Sequence, residues 1–332
     1  MKYTNLISGQ AIGDSFLLPY EFLRKPFGIK RLEKYGYSQS LLKNFGVTSD
    51  DTDHMLMTFK ALRYNEVKDF QRSLEKSLKW WLLTLPPGIG MTTLKACLKL
   101  WVGLKSGVKS SGNGPLMRVP IIALYYANNE SKRHEFISAS TEITHTNLEA
   151  LAAAQGIGNF IAYLSKYEKL PSRNELKAIL LKMSQSDPLW VKYVEILMLH
   201  LSSPLPQFLK ALDCEKQISG YIMPTAISSI YFVYQTLDPK NAFKMIIQAS
   251  GDTDTIGAVV GAYLGLLNYK GFTADMKNYI FKLGSSSQDV IGVSQDILQD
   301  FWINLIVKNI VSIPLVFAHG IKRIFLYTLK KS

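Results

Sequence analysis

Two acidic clusters stand out in a chain whose formal net charge is +12. Residues 49–52 read Ser-Asp-Asp-Thr, and residues 251–255 read Gly-Asp-Thr-Asp-Thr. Adjacent carboxylates repel one another, and the positive end of a helix dipole offsets that repulsion only in part. A bound divalent cation would resolve the conflict, and carboxylate and hydroxyl oxygens are the ligands that Mg²⁺, Mn²⁺ or Ca²⁺ prefers. The pair of clusters therefore indicates a hard-metal site, although either cluster alone could be an ordinary helix cap.

Each cluster opens an apolar run with helical spacing, so helices must position the carboxylates. Ser49 or Asp50 is the expected N-cap of the first helix. In the second, Gly257, Gly261 and Gly265 share one face and predict the close approach of another helix backbone. Strand-like alternation is scarce, so we predict an all-α fold. Further helices are predicted over residues 74–83, 93–104, 117–128, 148–166, 174–183, 189–201 and 225–236.

Composition limits the class of protein. With 332 residues, 47% of them hydrophobic, the chain can bury a sizeable core. Cys97 and Cys214 have neither disulfide nor zinc spacing, which favours a reducing, cytoplasmic setting. The N-terminus lacks an apolar signal core, so we do not expect classical secretion, while export by another route stays open. Lys and Arg are scattered without a basic stripe, so we expect no stable nucleic-acid binding. We expect a monomer.

The C-terminal tail differs from the rest, and we divide the chain into residues 1–294 and 295–332. Residues 301–321 are apolar with Lys308 as the single Lys or Arg. A lysine at the centre of a membrane helix costs roughly 2.5–3.5 kcal/mol, and Pro314 adds to that cost. A spanning helix is therefore disfavoured. A helical extension packed on the domain is the preferred interpretation, and an amphipathic anchor on a membrane surface is the alternative.

A small-residue loop lies between the acidic clusters. Residues 110–118 read Ser-Ser-Gly-Asn-Gly-Pro-Leu-Met-Arg, and backbone N–H groups exposed by glycine can cradle phosphate oxygens. The same letters also suit an ordinary turn. His145, just before another predicted helix, is either a substrate-side residue or a packing residue.

Four further polar residues flank the clusters. Asp14 lies among apolar neighbours and must be capped, paired or metal-associated if it is buried. Glu21 follows a Pro-Tyr turn and is expected to project from a loop. Asp53 and His54 come directly after the first cluster, and we predict that they lie on a solvated helix face.

Six segments in order along the chain resemble the ADP-ribosylglycohydrolase family. They are Gly9-x-x-x-Gly13-Asp14, Pro19-x-Glu21, Ser49-Asp50-Asp51-Thr52, Gly112-Asn113-Gly114-x-x-Met117-Arg118, Thr144-His145-Thr146 and Gly251-Asp252-Thr253-Asp254-Thr255. Each segment could arise by chance, but the ordered series is specific. The resemblance spans roughly residues 5 to 270 and leaves residues 166–218 and the tail unmatched.

The resemblance implies a compact, single-domain orthogonal helical bundle around two divalent cations, Mg²⁺ or Mn²⁺. The implied metal ligands are Ser49, Asp50, Asp51, Asp252, Asp254 and Thr255. The implied substrate-binding residues are Ser110, Ser111, Gly112, Asn113, Gly114, Met117 and His145. Proton transfer falls to Glu21 or to a second-cluster aspartate, Asp252.

The implied activity is hydrolysis of the bond between ADP-ribose and a modified acceptor, such as an arginine or serine side chain of a protein or a related conjugate. Cleavage at the anomeric carbon develops positive charge on the ribose, which a carboxylate-rich site would stabilise. The alternative is a relative without activity that binds ADP-ribose or serves a structural role.

Overall fold

Helices make up the framework of the chain. The computed structural model describes residues 1–36, 47–105, 107–182, 187–281, 302, 305–310 and 313–314. Within these residues the fold is all-α, which confirms the prediction, and extended pairing is limited to isolated bridges. The α-helices are α1 (Lys2–Leu17), α2 (Lys25–Tyr35), α3 (Asp50–Ala61), α4 (Val67–Leu83), α5 (Met91–Trp101), α6 (Val119–Tyr125), α7 (Glu130–Glu142), α8 (Leu148–Tyr167), α9 (Arg173–Leu181), α10 (Pro188–His200), α11 (Leu205–Ala211), α12 (Ile222–Gln235), α13 (Pro239–Ala249), α14 (Thr253–Asn268) and α15 (Ala274–Phe281).

The predicted helix over residues 117–128 is wrong in its start. A short 3-10 turn, Gly114–Met117, comes first, and α6 begins at Val119. Pro120 lies in the first turn of α6, where its missing N–H costs nothing, whereas within a longer helix it would remove a backbone hydrogen bond. The break turns the side chain of Arg118 into the protein interior.

The helices α1 and α14 cross in close backbone contact at the centre of the fold. A Cβ placed on Gly9 would lie 2.2 Å from the Gly261 carbonyl oxygen, and one on Gly13 would lie 1.9 Å from the Gly257 oxygen. Only glycine allows backbones to approach this closely. The glycine spacing in α14 therefore predicted a real crossing, which brings the helix that precedes Glu21 against the helix that follows the second acidic cluster.

The described part of the tail packs against the domain. Leu305 is buried in the core, and Trp302 packs at its edge. No helix among the described residues is long and apolar enough to cross a membrane.

Candidate active site

Asp14 of α1 organises the start of α3. Its carboxylate accepts hydrogen bonds from the backbone N–H of Ser49 (3.0 Å) and Thr52 (3.2 Å), and from the Thr52 hydroxyl (2.5 Å). Ser49 is the N-cap of α3, and its Oγ accepts a bond from Asp51 N at 3.2 Å. Since these bonds satisfy the donors that open a helix, the carboxylates of Asp50 and Asp51 are not needed as caps.

A tight turn positions the second cluster. Gly251 has a φ of +106°, and a Cβ there would lie 1.8 Å from the Ile218 carbonyl oxygen, so only glycine fits. That oxygen accepts a hydrogen bond from Asp252 N at 2.9 Å. Thr253 Oγ1 donates to the carbonyl of Leu17 at 2.9 Å. These contacts place Asp252 at the N-cap of α14, beside the end of α1.

Two groups of three carboxylates share Asp254. Asp14, Asp51 and Asp254 each offer an oxygen within 4.8 Å of the other two, and Glu21, Asp252 and Asp254 do the same. Among the described residues, the buried Oδ1 atoms of Asp51 and Asp254 have no hydrogen-bond partner. A buried acceptor without a donor is costly. The donor set thus fits divalent cations, which would satisfy both oxygens.

Burial and mutual repulsion shift the protonation of this cluster. Burial is the main cause that raises the pKa of Asp51 and Asp254 well above the ordinary value, and nearby carboxylates add to the shift. Burial also raises the pKa of Asp14, but only to about 6, because hydrogen bonds from Thr52 and Ser49 oppose it. Cation binding therefore competes with protons at this cluster.

Hydroxyl groups from both clusters converge on Asp51. Ser49 Oγ and Thr255 Oγ1 each lie 3.1 Å from Asp51 Oδ2 and donate to it. Asp50 lines a cavity at this site, although its carboxylate belongs to neither group of three in the described part of the chain. The hydroxyls therefore engage Oδ2 of Asp51, while Oδ1 is the oxygen without a hydrogen-bond partner in the described structure.

Glu21 lies on a loop that is bound to the second cluster. The loop follows a 3-10 turn, Leu18–Tyr20, and the N–H of Phe22 donates to the Gly251 carbonyl at 2.6 Å. Phe22 has a φ of +50°, which is uncommon for a side chain of this size and is held by the surrounding structure. This backbone geometry brings the Glu21 carboxylate into the second group of three.

Asn113 joins the glycine loop to the second cluster. Its N–H donates to the Gly220 carbonyl at 2.9 Å, and its side-chain Nδ2 donates to Asp252 Oδ2 at 2.9 Å. This hydrogen bond fixes the position of the Asp252 carboxylate. The loop and the carboxylates therefore form one continuous surface.

The imidazole of His145 packs on the two glycines of this loop. A Cβ on Gly112 would lie 3.0 Å from His145 Nε2, and one on Gly114 would lie 2.8 Å from Cε1. His145 Nδ1 lies 2.8 Å from Thr144 Oγ1, which accepts a bond from Arg118 Nη2 at 2.7 Å. The Thr144 hydroxyl therefore links the buried Arg118 to His145 Nδ1 and fixes the orientation of the imidazole.

Arg118 is a fully buried cation. It donates to Ser140 Oγ at 3.0 Å and lies 2.9 Å from His54 Nδ1. Burial lowers the pKa of Arg118 to about 10. Burial, together with the Arg118 charge, lowers the pKa of His145 to about 3 and that of His54 well below the ordinary value. Both imidazoles are therefore neutral near pH 7.

The prediction of a solvated face for Asp53 and His54 is wrong. His54 is fully buried and meets the ring of Trp81 edge-on, with centroids 4.6 Å apart. Asp53 Oδ2 accepts a hydrogen bond from Trp81 Nε1 at 3.1 Å. The helix face after the first cluster looks polar in sequence but is covered by α4 and by the tail, which local patterning could not reveal.

Most of the predicted site residues line a cavity of about 330 Å³. Asp51 is buried and, like Ser110 and Ser111, is not among the described residues that line it. The Ser110 hydroxyl bonds that of Thr92, and the Ser111 hydroxyl accepts a bond from Asn147. The predicted residues that line the cavity are Glu21, Ser49, Asp50, Gly112, Asn113, Gly114, Met117, His145, Asp252, Asp254 and Thr255.

Several residues that line the cavity were not assigned to the site from sequence, among them Asp53, Lys308 and Asn309. One signal was present, because Lys308 is the single Lys or Arg of the apolar stretch 301–321. A lone charge in such a stretch needs a partner, but the sequence did not indicate which one.

Fold and site together define an all-α protein in which carboxylates from both ends of one domain line a single cavity. A sequence profile of the family described as ADP-ribosylglycohydrolase matches residues 2–301. The chain belongs to this family. A solved structure titled an ADP-ribosylglycohydrolase-related protein complex superposes with a TM-score of 0.63 at 18% identity, covering 93% of this chain and 98% of that one. That likeness supports the fold.

Two relatives are similar over most of their length. An uncharacterized protein of Archaeoglobus fulgidus is 26% identical over 287 residues, which are 82% of this chain and 88% of the relative. A protein of Acanthamoeba polyphaga mimivirus, named as a candidate ADP-ribosyl glycohydrolase, is 25% identical over 301 residues, with 81% and 87% covered.

Proposed function

We propose that the protein is a metal-dependent hydrolase that removes ADP-ribose from a modified acceptor by cleaving the bond at the anomeric carbon of the ribose. One observation carries the proposal: two groups of three carboxylates share Asp254, whose buried Oδ1 has no partner in the described structure. The glycine loop lines the same cavity. Family membership supports ADP-ribose as the group transferred to water.

Two divalent cations, Mg²⁺ or Mn²⁺, fit the donor set. When bound, such cations orient substrate hydroxyls and an attacking water and supply positive charge to oxygen. The surrounding carboxylates stabilise the positive charge that develops on the ribose. The residues that would hold the cations are Ser49, Asp50, Asp51, Asp252, Asp254 and Thr255, with Asp14 and Glu21 contributing to the same groups.

Glu21 is the better candidate for proton transfer. Asp252 Oδ2 already accepts a hydrogen bond from the Asn113 side chain, which fixes the position of this carboxylate. Glu21 lies on a loop with a fixed backbone and faces the cavity. We therefore assign Glu21 to accept a proton from water and Asp252 to the cation group.

The substrate diphosphate is assigned to the glycine loop. Gly112 and Gly114 line the cavity, and His145 packs on both. The imidazole of His145 is held through Thr144 and Arg118 and lines the same cavity. These groups form an uncharged wall beside the carboxylates, against which the diphosphate would lie.

The acceptor is the variable part of the substrate. We propose a protein side chain, such as ADP-ribosyl-arginine or ADP-ribosyl-serine, or a related conjugate. We further propose a cytoplasmic monomer with a catalytic domain over residues 1–294 and a helical extension over residues 295–332.

A panel of defined ADP-ribosylated substrates, each with Mg²⁺ or Mn²⁺ and with EDTA, tests the proposal. We expect ADP-ribose release from at least one linkage, loss of release in EDTA, and loss in Asp252→Ala, with the variant still folded by circular dichroism. Binding of ADP-ribose without release from any linkage would instead identify a binding protein. Release that persists in EDTA would exclude the metal role.

A further inference from the structure

The helical segment 305–310, hereafter the C-terminal segment, reaches the cavity from outside the family match. Lys308 and Asn309 line the same cavity as the carboxylates. The family profile ends at residue 301. The cavity wall therefore includes an element that lies beyond the residues matched by the family profile.

A buried ion pair holds the C-terminal segment in place. Lys308 Nζ pairs with Asp53 Oδ1, and the two side chains are 7% and 5% exposed. The other oxygen of Asp53 accepts the bond from Trp81. Both oxygens of Asp53 are thus engaged, and a buried charge left without its partner is strongly unfavourable. The pair fixes Lys308 beside the first turn of α3.

Two further contacts restrain the segment. Asn309 Nδ2 donates to Thr84 Oγ1 at 2.7 Å, and both residues are buried. Thr84 Oγ1 in turn donates to the Trp81 carbonyl at 2.7 Å. Leu305 is inserted in the core. The segment is held by an ion pair, a buried hydrogen bond from a side-chain amide and an apolar contact. It is therefore a fixed part of the cavity wall.

The position of the segment suggests what it acts on. ADP-ribose is common to all substrates of the proposed reaction, and the carboxylates and glycine loop that would bind it lie within residues 2–301. The C-terminal segment adds to the wall of the cavity that Asp50 and residues of the loop 86–90 also line. Such a wall would select among substrates by the part that varies, which is the acceptor.

We propose that Lys308 is a specificity-determining residue: anchored on Asp53, it holds the C-terminal segment as a wall that admits small acceptors and excludes bulky ones. This inference rests on the proposed function. Lys308 positions the wall and takes no part in bond cleavage.

The test compares two conjugates with the linkage that the wild-type protein cleaves, one on a short peptide and one on a folded protein. In Lys308→Met we expect kcat/KM for the protein conjugate, relative to the peptide, to rise at least tenfold, while the affinity for ADP-ribose measured by calorimetry changes less than twofold. The double variant Asp53→Asn/Lys308→Met removes both charges and leaves none unpaired, so it replaces the single variant if that does not fold. Val307→Ala, on the exposed side of the same segment, is the matched control and should leave the ratio unchanged.

A ratio within twofold of wild type in a folded variant would overturn the inference. If wild type cleaves neither conjugate, the proposed function fails, and the wall is then judged by calorimetric binding of the same two conjugates. A tenfold relative gain in affinity for the protein conjugate in the variant supports the wall, and an unchanged affinity ratio overturns it.

Discussion

Thr255 Oγ1 donates a hydrogen bond to Asp51 Oδ2 at 3.1 Å, across 204 residues of sequence. The bond joins the first turns of α14 and α3 directly. It engages Oδ2 of Asp51, while Oδ1 has no hydrogen-bond partner in the described structure. The two acidic clusters are therefore one site held together by neutral hydroxyls before any cation binds.

Asp254→Asn should abolish cation binding and stabilise the cation-free protein. The substitution removes a buried charge that repels Asp51 and Asp252. We expect a gain of about 1–3 kcal/mol in the free energy of unfolding in EDTA at pH 8, the size of one unsatisfied buried group. The gain that Mn²⁺ gives wild type, about 2.7 kcal/mol at 100 times Kd, should vanish. Urea denaturation with and without Mn²⁺ measures both. Asp238→Asn, at the half-buried N-cap of α13, should change neither.

The stabilising effect of Asp254→Asn should grow with pH. Since folding raises the pKa of Asp254, its contribution to stability is full below the unfolded value near 4 and is lost as pH rises through the folded value. Buried histidines with a lowered pKa change stability in the opposite direction, but they cancel in the difference between wild type and variant. The measurement is the difference in the free energy of unfolding between wild type and variant, taken in EDTA from pH 4 to pH 8. A difference that shrinks as pH rises contradicts the assigned cluster.

Thr144→Val should weaken ADP-ribose binding and destabilise the fold. The variant removes the hydroxyl between Arg118 and His145, which frees the imidazole from its orientation and leaves a donor of Arg118 unsatisfied. We expect a loss of about 1–3 kcal/mol in the free energy of unfolding and a weaker Kd by calorimetry. Ser228→Ala is the control, because its buried hydroxyl has no partner in the described structure. Equal changes in unfolding free energy and in the Kd for ADP-ribose in the two variants would contradict the role assigned to Thr144.

Gly261→Ala should separate α1 from α14. The added Cβ would lie 2.1 Å from the Gly9 carbonyl oxygen, so a helix must move. Overpacking costs about 1–3 kcal/mol, and the shift should also lower Mn²⁺ affinity because both helices position carboxylates. Thermal melting and calorimetry measure the two effects. Gly90→Ala, with no atom within 4 Å of the new Cβ, should cost about 1 kcal/mol or less.

Much of this arrangement could be predicted from the sequence. Acidic residues at two helix starts and the glycine spacing of α14 depend on local chemistry, which a single chain reveals. The glycine spacing did not predict which helix packs against α14, because the contacts with Gly9 and Gly13 depend on the tertiary fold. The short helix α6 differs from its prediction for a local reason, Pro120, that the apolar pattern concealed.

The environment of Asp53 and Lys308 could not be predicted. Lys308 is the single Lys or Arg of its apolar stretch and Asp53 follows the first acidic cluster, and local patterning assigns such charges to solvent. Their pairing joins α3 to a segment 255 residues away. Sequence reasoning assigned the carboxylates correctly to a common region by family resemblance, but the wall beside them lies beyond that resemblance.

The crossing of α1 and α14 has a consequence for synthesis of the chain. Residues 6–17 of α1 are all buried in the finished protein, yet Thr253, which bonds Leu17, is translated 236 residues later. At about 5–20 residues per second, the first helix waits roughly 10–50 s for its partner. An apolar helix exposed for that time is a natural chaperone client on the ribosome, and a chain that stalls before α14 has no means of completing its carboxylate cluster.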